Sequence, residues 1–351
     1  MKVILIVANG LNCHWLGPYG NEWVLTPSFD RLASESVVFD RHYANDPGSS
    51  GLWNACLRHA VFVDDRKSKP EETPGGCRVI RTNPVASANP SANLLAAIQE
   101  ALLETADLLY IETDRLVPPW DFDFESYQQY ATASGGFVED RDAESEEPLD
   151  SPTPGPFDLK DHALWHRLHN SFAAAVTSFD AELQVIFDRF RARGLDRSAT
   201  WIVTSGYGWP LGEHGIIGPG GSREHEELVH LPLIVRLPEG GEAMRRVSAF
   251  TQPADLGHTI GELLGLNLAG QSLLPLITNH SRTIREACRI GPSLRTDEWA
   301  FLAATSDRPP RLYLKPDDIW EANDLAARHP DECDRLAALL TSDPGKIDAV
   351  R

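Results

Sequence analysis

The sequence contains no C-x-x-C pair, no G-x-G-x-x-G motif and no apolar run near the roughly 18 residues of a membrane span. Five cysteines are scattered along the chain, at Cys13, Cys56, Cys77, Cys288 and Cys333. Their odd number and wide spacing argue against a disulfide framework or a zinc cluster. The missing glycine motif leaves a dinucleotide site without support. We therefore expect a protein of a reducing compartment.

Positive charge is also scarce. The chain has 32 Lys and Arg against 51 Asp and Glu, a formal net charge of −19. Such a surface repels nucleic acids and anionic membranes, so we expect neither as a partner. The apolar core of the opening "MKVILIVANG" is short for a secretory signal and is more typical of a buried first strand. A cytoplasmic location is the resulting expectation.

Apolar strand-like runs alternate with helical patterns along the chain. The runs are "KVILIVAN", "CRVIRT", "DLLYIETD", "ATWIVTS" and "LPLIVRLP". This alternation predicts an α/β fold with a doubly wound, mostly parallel sheet. Near the C-terminus, "WAFLAATSDRPPRLYLKP" indicates a small antiparallel sheet and "HPDECDRLAALL" indicates a final helix. We place the main domain at 1–280, with an acidic, Pro-rich loop at 131–157, and a small subdomain packed on it at 281–351.

In a doubly wound sheet, ligands bind at the carboxyl ends of the strands. Asn9, Thr113 and Ser205 each follow or end a predicted strand, so they should gather at one rim. The glycine-rich stretch "VTSGYGWPLGEHG" continues from the same edge and carries an acid and a histidine, Glu213 and His214. It has the composition of a loop that holds a ligand.

Several segments in order resemble the sulfatase family of the alkaline phosphatase superfamily. "VILIVANGLNCHWLGPYG" resembles that family's N-V-L-L-I-V-x-D-D opening and L-G-x-Y-G. "SGYGWPLGEHGIIGPGG" resembles S-D-H-G-x-x-L-G-E-H-G-x-x-G-K-G, and "EELVHLPLIVRLP" resembles Y-E-E-x-x-R-V-P-L-I-V-x-x-P. The segments near 252–277 and 312–330 are also similar. The resemblance runs from residue 3 to about residue 340, and it implies the superfamily's α/β fold.

The resemblance also implies a chemistry. Family members hold a divalent cation, usually Ca²⁺, with two Asp after the first strand and Asp-Asn or Asp-His after a later one. A Cys or Ser in C-x-P-S-R or S-x-P-S-R becomes the formylglycine nucleophile. A hard cation prefers anionic oxygen ligands, which hold it and offset charge developing on the ester.

At the implied metal-ligand positions this sequence departs from the family. The Asp-Asp pair falls on Asn9 and Gly10, and the later pair falls on Gly206 and Tyr207. None of the four is a carboxylate; only Asn9 is a weak remnant of a ligand. A tyrosine hydroxyl has a reference pKa of about 10 and stays protonated at neutral pH. We therefore expect no bound cofactor.

The implied nucleophile segment also departs. "NDPGSSGLWNA" places Ser49 at the nucleophile position and Trp53 where the family has Arg. This segment is not a substrate for formylglycine formation, and "DPGSSG" is ordinary turn chemistry. The family's Lys falls on Pro219 and a His falls on Val117. Ser49 is thus a catalytic candidate by position alone.

Two functions stay open. In the first, the chain is a sulfatase-like protein that has lost metal-dependent sulfate-ester hydrolysis. It then acts as a binding or regulatory protein, with a protein or a small anionic ligand as its partner. In the second, it is an active sulfuric- or phosphoric-ester hydrolase that uses Ser49 and an unusual metal site. In either case we expect a pocket lined by Trp53, Thr113, Tyr207 and His214.

The remaining histidines favour structural roles. In "REHEELVH", His225 and His230 are five residues apart, whereas the metal motif H-E-x-x-H places its pair four apart on one helix face. His14, His42 and Asp46 flank the expected rim, but nothing in their spacing indicates a replacement metal site.

Overall fold

A computed structural model describes residues 1–45, 77–82, 90–103, 106–133, 147–221, 223–266, 271–279 and 281–341. A central mixed sheet lies between helices, and a small antiparallel sheet follows near the C-terminus. The strands of the central sheet are β1 (Val3–Ala8), β2 (Val37–Tyr43), β3 (Cys77–Thr82), β4 (Leu108–Thr113), β6 (Thr200–Thr204), β8 (His230–Leu231), β9 (Leu233–Arg236) and β10 (Arg245–Thr251).

The central sheet has the strand order β10-β2-β9-β6-β1-β4-β3, with β8 paired to β2. All of its described pairs are parallel except those made by β8 and β9. Strands β1, β4 and β6 are continuous apolar runs because both faces of the sheet are covered. The predicted doubly wound, mostly parallel α/β fold is confirmed.

The helices cover both faces of this sheet. They are α1 (Pro27–Ser34), α2 (Pro90–Ala101), α3 (Phe124–Ala133), α4 (His162–Ala192), α5 (Leu195–Ser198), α6 (Glu226–Val229), α7 (Pro253–Leu263), α8 (Leu274–Thr278) and α9 (Pro330–Thr341). One apolar cluster lies under α1, α2 and α4, and another lies under α7 and α8. Among the described residues, no helix combines the length and the apolar character that crossing a bilayer requires.

Smaller strands complete the fold. The pair β5 (Gly155–Pro156) and β7 (Ile216–Ile217) is antiparallel. The C-terminal sheet comprises β11 (Cys288–Ile290), β12 (Ser293–Arg295), β13 (Trp299–Leu302) and β14 (Arg311–Leu314), all antiparallel. Helix α9 packs on this sheet through Leu336 and Cys333. The predicted antiparallel sheet with a final helix is confirmed.

The strand pattern failed to indicate β2 and β10, which pair in parallel near the sheet edge. Both carry charged residues that interrupt an apolar run. Asp40 of β2 forms an ion pair with Arg246 of β10, so each charge finds its partner on the neighbouring strand. Helix α3 also extends to Ala133, three residues into the segment for which the sequence indicated only a loop.

Candidate functional site

The strand register brings the implied ligand positions to one rim. Ala8 of β1 is paired with Thr113 of β4, and Val7 is paired with Thr204 of β6. The chain therefore leaves all three strands at the same edge. The Asn9 backbone N–H donates to the Thr113 carbonyl at 2.9 Å, which continues the ladder beyond β1.

At this rim the backbones of the ligand positions bind each other. The Gly10 N–H donates to the Tyr207 carbonyl at 2.9 Å, and the Trp209 N–H donates to the Gly10 carbonyl at 3.1 Å. Gly10 has φ +90°, and a Cβ placed on it would lie 2.3 Å from the Leu116 carbonyl oxygen. No side chain fits at Gly10 without movement of that loop, so an Asp ligand has no room here.

Asn9 is buried and faces two carboxylates. Its Nδ2 donates to Asp114 Oδ1 at 2.8 Å and to Glu112 Oε1 at 3.2 Å. Burial raises the pKa of Asp114, the hydrogen bond from Asn9 lowers it, and the charge of Glu112 raises it. The partial positive charge of the amide N–H groups thus lies beside these acids, where the charge of a cation would otherwise lie.

Tyr207 supplies no negative charge to the rim. Burial, together with the nearby charges of Asp114 and Glu112, raises the pKa of its hydroxyl to about 12. Its carbonyl is already occupied, accepting from Gly10 and from Ser205 Oγ, the latter at 2.8 Å. Gly206 has no side chain. The four implied ligand positions therefore bring no carboxylate and no phenolate.

Ser49 and Trp53, the candidates for nucleophile and pocket wall, lie outside the described residues. Thr113 is buried at the rim, beside Asn9.

Next to the rim is a cavity of about 640 Å³. The loops around His214 and Glu227 form one wall, and the C-terminal segments that carry Arg308 and Trp320 form another. His214 was expected in a pocket and does line this cavity, whereas Tyr207 and Thr113 do not. The connection to the rim is short, because Asn12 Nδ2 donates to the Glu227 carbonyl at 2.9 Å.

Two histidines stack inside the cavity. The rings of His214 and His225 are parallel, with centroids 3.6 Å apart. His214 Nδ1 lies 2.7 Å from Glu227 Oε1, and His225 Nδ1 lies 2.7 Å from Glu321 Oε2. Burial would lower the pKa of His214, but the hydrogen bond and charge of Glu227 raise it to about 8. His214 is therefore protonated at neutral pH.

Two other titratable groups that line the cavity, Glu213 and His14, are neutral at neutral pH. Burial and then the charge of Glu227 raise the pKa of Glu213 to about 8. Burial and then the charge of His230 lower the pKa of His14 to about 4. At neutral pH the cavity therefore presents a protonated carboxyl and an unprotonated imidazole beside its ion pairs.

A buried ionic network lies behind the cavity, which two of its acids, Glu226 and Glu321, also line. Arg295 Nε lies 3.1 Å from Glu226 Oε1, and Arg295 Nη2 lies 3.0 Å from Glu321 Oε1. Lys315 Nζ is 3.4 Å from an oxygen of each acid. Both carboxylates are at most 5% exposed as side chains, so paired cations are needed to keep them charged.

Comparisons with known proteins agree with the fold described above. A family model described as Sulfatase matches residues 118–266. The resemblance to the sulfatase family is confirmed over these residues. No curated protein matches this sulfatase-like chain.

Solved structures share the fold over nearly the whole chain. The phosphonate monoester hydrolase of Agrobacterium radiobacter is 17% identical, with a TM-score of 0.70 over 97% of this chain and 94% of that one. A protein solved with its substrate D-glucosamine-2-N,6-O-disulfate is 15% identical, with a TM-score of 0.71 over 97% and 96%. A 2-O GAG sulfatase is 16% identical, with a TM-score of 0.65 over 97% and 90%. At these identities the likeness establishes the fold.

The family's divalent cation does not fit the rim of this sulfatase-like chain. A hard cation such as Ca²⁺ takes six to eight oxygen ligands, several of them anionic. The ligand positions offer one amide, which is turned nitrogen-first toward Asp114 and Glu112, and a neutral phenol. The Gly10 position offers only its backbone, which is hydrogen-bonded to Tyr207 and Trp209. No catalytic step through a metal at this rim follows from these residues.

Sequence reasoning missed most of the cavity. His225 and His230 were noted in "REHEELVH". The partner of His230, Glu226, lies inside that motif, whereas the partner of His225, Glu321, lies in a distant segment. The sequence carried no signal that residue 321 would return to the rim. Only the packing of the C-terminal segment against the segments that carry His214 and His225 brings the acid there.

Proposed function

We propose that this chain is a sulfatase-like binding protein that has lost the family's metal-dependent ester hydrolysis. One observation carries the proposal: the backbone of Gly10 is hydrogen-bonded to Tyr207 and Trp209 where the family's cation would need carboxylates. Without a cation, a serine at position 49 has no evident activation. The positive charge that would offset the negative charge developing on the ester in the transition state would also be missing.

The cavity next to the rim supports a role in ligand binding. It is concave, and large apolar side chains stand exposed beside polar groups at its wall, as in many small-molecule sites. Trp320 and Leu159 line it and are 57% and 58% exposed. Exposed large apolar groups at a cavity provide contact surface for a ligand.

Charge in the cavity favours a small anion as the ligand. Arg223, Arg308 and Arg311 all line it, together with the protonated His214. Burial lowers the pKa of Arg223, the nearby Glu224 raises it, and the smaller effects of the neighbouring Arg311 and Arg308 lower it. A bound anion would relieve this repulsion between like charges.

Turnover assays test the loss of hydrolysis. The purified protein is offered aryl sulfate and aryl phosphate with added Ca²⁺, Mg²⁺, Mn²⁺ or Zn²⁺. We expect the wild type to match Ser49→Ala in every condition. Metal-dependent turnover that Ser49→Ala abolishes would overturn the proposal and establish the active hydrolase.

Anion binding is tested separately by thermal unfolding in sulfate or phosphate against chloride at equal ionic strength. We expect the anions to raise the midpoint temperature of the wild type and to raise it less in a variant with Arg308→Gln and Arg311→Gln. Equal shifts in the two proteins would remove the cavity as the anion site.

A further inference from the structure

One group of three potential metal ligands lies apart from the family's ligand positions. His14, Glu226 and His230 each place one possible ligand atom within 4.8 Å of the other two. In the described part of the chain, this is the one group of three or more His, Cys, Asp or Glu side chains that lie so close together. The residues come from the helical turn Cys13–Trp15, from α6 and from the start of β8. His14 and Glu226 line the cavity.

The hydrogen bond made by His230 directs one ring nitrogen at Glu226. His230 Nε2 lies 2.8 Å from the Asp40 carbonyl oxygen, which can only accept, so Nε2 carries a hydrogen. His230 Nδ1 then lies 2.9 Å from Glu226 Oε2, in a direction that makes no regular hydrogen bond. A lone pair and a carboxylate at this distance repel each other, so a cation lies between them: the proton of a charged His230, or a metal ion that takes its place.

Outer partners fix the ligands in the way that metal sites require. Metal-binding histidines almost always donate their second N–H to a carbonyl or carboxylate, as His230 does to Asp40. Arg295 and Lys315 hold Oε1 of Glu226, whereas Oε2 lies 2.9 Å from His230 Nδ1 and accepts from the Tyr43 hydroxyl at 3.5 Å. These contacts set the orientation of both side chains.

The backbone of His14 is anchored in the same way. Its N–H donates to Asn12 Oδ1 at 3.0 Å, and its carbonyl accepts from Asn21 Nδ2 at 2.7 Å. The His14 ring packs against Trp320, with centroids 4.7 Å apart. The imidazole is thus positioned beside His230 by contacts that do not use its ring nitrogens.

We propose that His14, Glu226 and His230 bind a divalent transition-metal ion of the Zn²⁺ type, with a fourth position open to the cavity. Two imidazoles and one carboxylate form a known three-ligand set for zinc, which leaves one position for water or a ligand. Ligand bonds of about 2.0–2.1 Å place tetrahedral ligand atoms about 3.3 Å apart, so the 2.9 Å contact needs only slight widening.

This site differs from the family's in both place and chemistry. The family's cation is a hard ion held by oxygens after β1 and β6, whereas this set is mainly nitrogen and suits a softer ion. The sequence led to an expectation of no cofactor, an expectation based on the ligand positions at the rim. A metal ion at this site does not depend on whether the chain hydrolyses esters.

Cobalt binding tests the proposal. Protein stripped with a chelator is titrated with Co²⁺, whose visible absorption reports tetrahedral coordination, and then with Zn²⁺ by calorimetry. We expect one ion per chain and a tetrahedral cobalt spectrum that Zn²⁺ displaces. His14→Ala should weaken binding by more than the roughly 10–100-fold that loss of an outer partner costs.

The exposed His329 supplies a matched control, since His329→Ala removes an imidazole far from this group in sequence. We expect it to bind both ions as the wild type does. His14→Gln, which keeps a polar side chain, serves if His14→Ala fails to fold, and it should also weaken binding at least tenfold. Absence of a tetrahedral cobalt spectrum in the wild type, or equal affinity in the folded His14 variant, would overturn the proposal.

Discussion

Individual residues account for the difference between this rim and a cation site. Gly10 adopts φ +90° with its Cβ position filled by the Leu116 carbonyl, and Asn9 presents its amide nitrogen to Asp114 and Glu112. Both residues suit the fold, but neither position favours a carboxylate side chain that would bind a metal ion. Restoring a single Asp would therefore not restore the site, because its neighbours have closed around the present side chains.

Glu213 is a residue whose protonation affects stability. Burial and Glu227 raise its pKa from 4.5 to about 8, so the folded state keeps its proton where the unfolded state has lost it. Its contribution to stability is fully present below pH 4.5 and falls as pH rises toward 8. Glu213→Gln does not titrate and keeps an acceptor for the Leu211 N–H. We expect it to leave stability unchanged at pH 4.5 and to raise it by more than about 1 kcal/mol at pH 8.5.

Urea unfolding at several pH values measures this difference. Glu22→Gln, at an exposed position, is the control and should show no such trend. A difference between Glu213→Gln and wild type that stays constant between pH 4.5 and 8.5 would contradict the assignment.

Helix α1 depends on another helix for its N-terminus. Thr26 precedes the helix but makes no side-chain cap, and Asp180 of α4 accepts instead from the backbone N–H groups of Ser28 and Phe29, each at 2.9 Å. A carboxylate at a helix start satisfies free donors and complements the helix dipole. The contact also fixes α1 on α4, next to the loop that carries His14.

Asp180→Ala should therefore destabilise the protein by about 2–3 kcal/mol, because two buried N–H groups lose a charged acceptor. Asp180→Asn keeps one acceptor oxygen and should cost less. Denaturant unfolding measures both changes. Asp188→Ala on the same helix removes only an exposed partner of Arg191 and should stay within about 0.5 kcal/mol. Similar values for the Asp180 and Asp188 variants would rule out the capping role.

The whole molecule is held together across the boundary that we place near residue 280. Arg295 of β12 is buried between Glu226 of α6 and Glu321, so the C-terminal sheet shares its charges with the α/β unit. A buried ion loses much of its stabilisation when one partner is removed. We therefore expect residues 1–280 and 281–351 to unfold in one transition.

Arg295→Met removes a buried cation that contacts both acids and should destabilise the protein by about 3–5 kcal/mol. Urea unfolding followed by both tryptophan fluorescence and circular dichroism measures the stability and the number of transitions. Arg335→Met, which breaks an exposed pair with Glu332 on α9, should change stability by less than about 1 kcal/mol. Two separate transitions in the wild type would show that the units are independent.

The sequence by itself determined the fold class and the absence of carboxylates from the implied ligand positions. Alternating apolar strands and helices dictate a layered sheet, and residue identity alone shows that Asn9, Gly10, Gly206 and Tyr207 carry no negative charge. These features are local, so they can be seen in the order of the residues.

Tertiary structure decided the rest. Strands β2 and β10 were missed because their charges pair only across the sheet, as Asp40 does with Arg246. The cavity was missed because His14, Glu226 and Glu321 come from segments separated by about 100 residues or more. Burial, hydrogen-bond partners and pKa values depend on contacts between segments that are distant in the sequence, and the spacing of residues along the chain does not reveal such contacts.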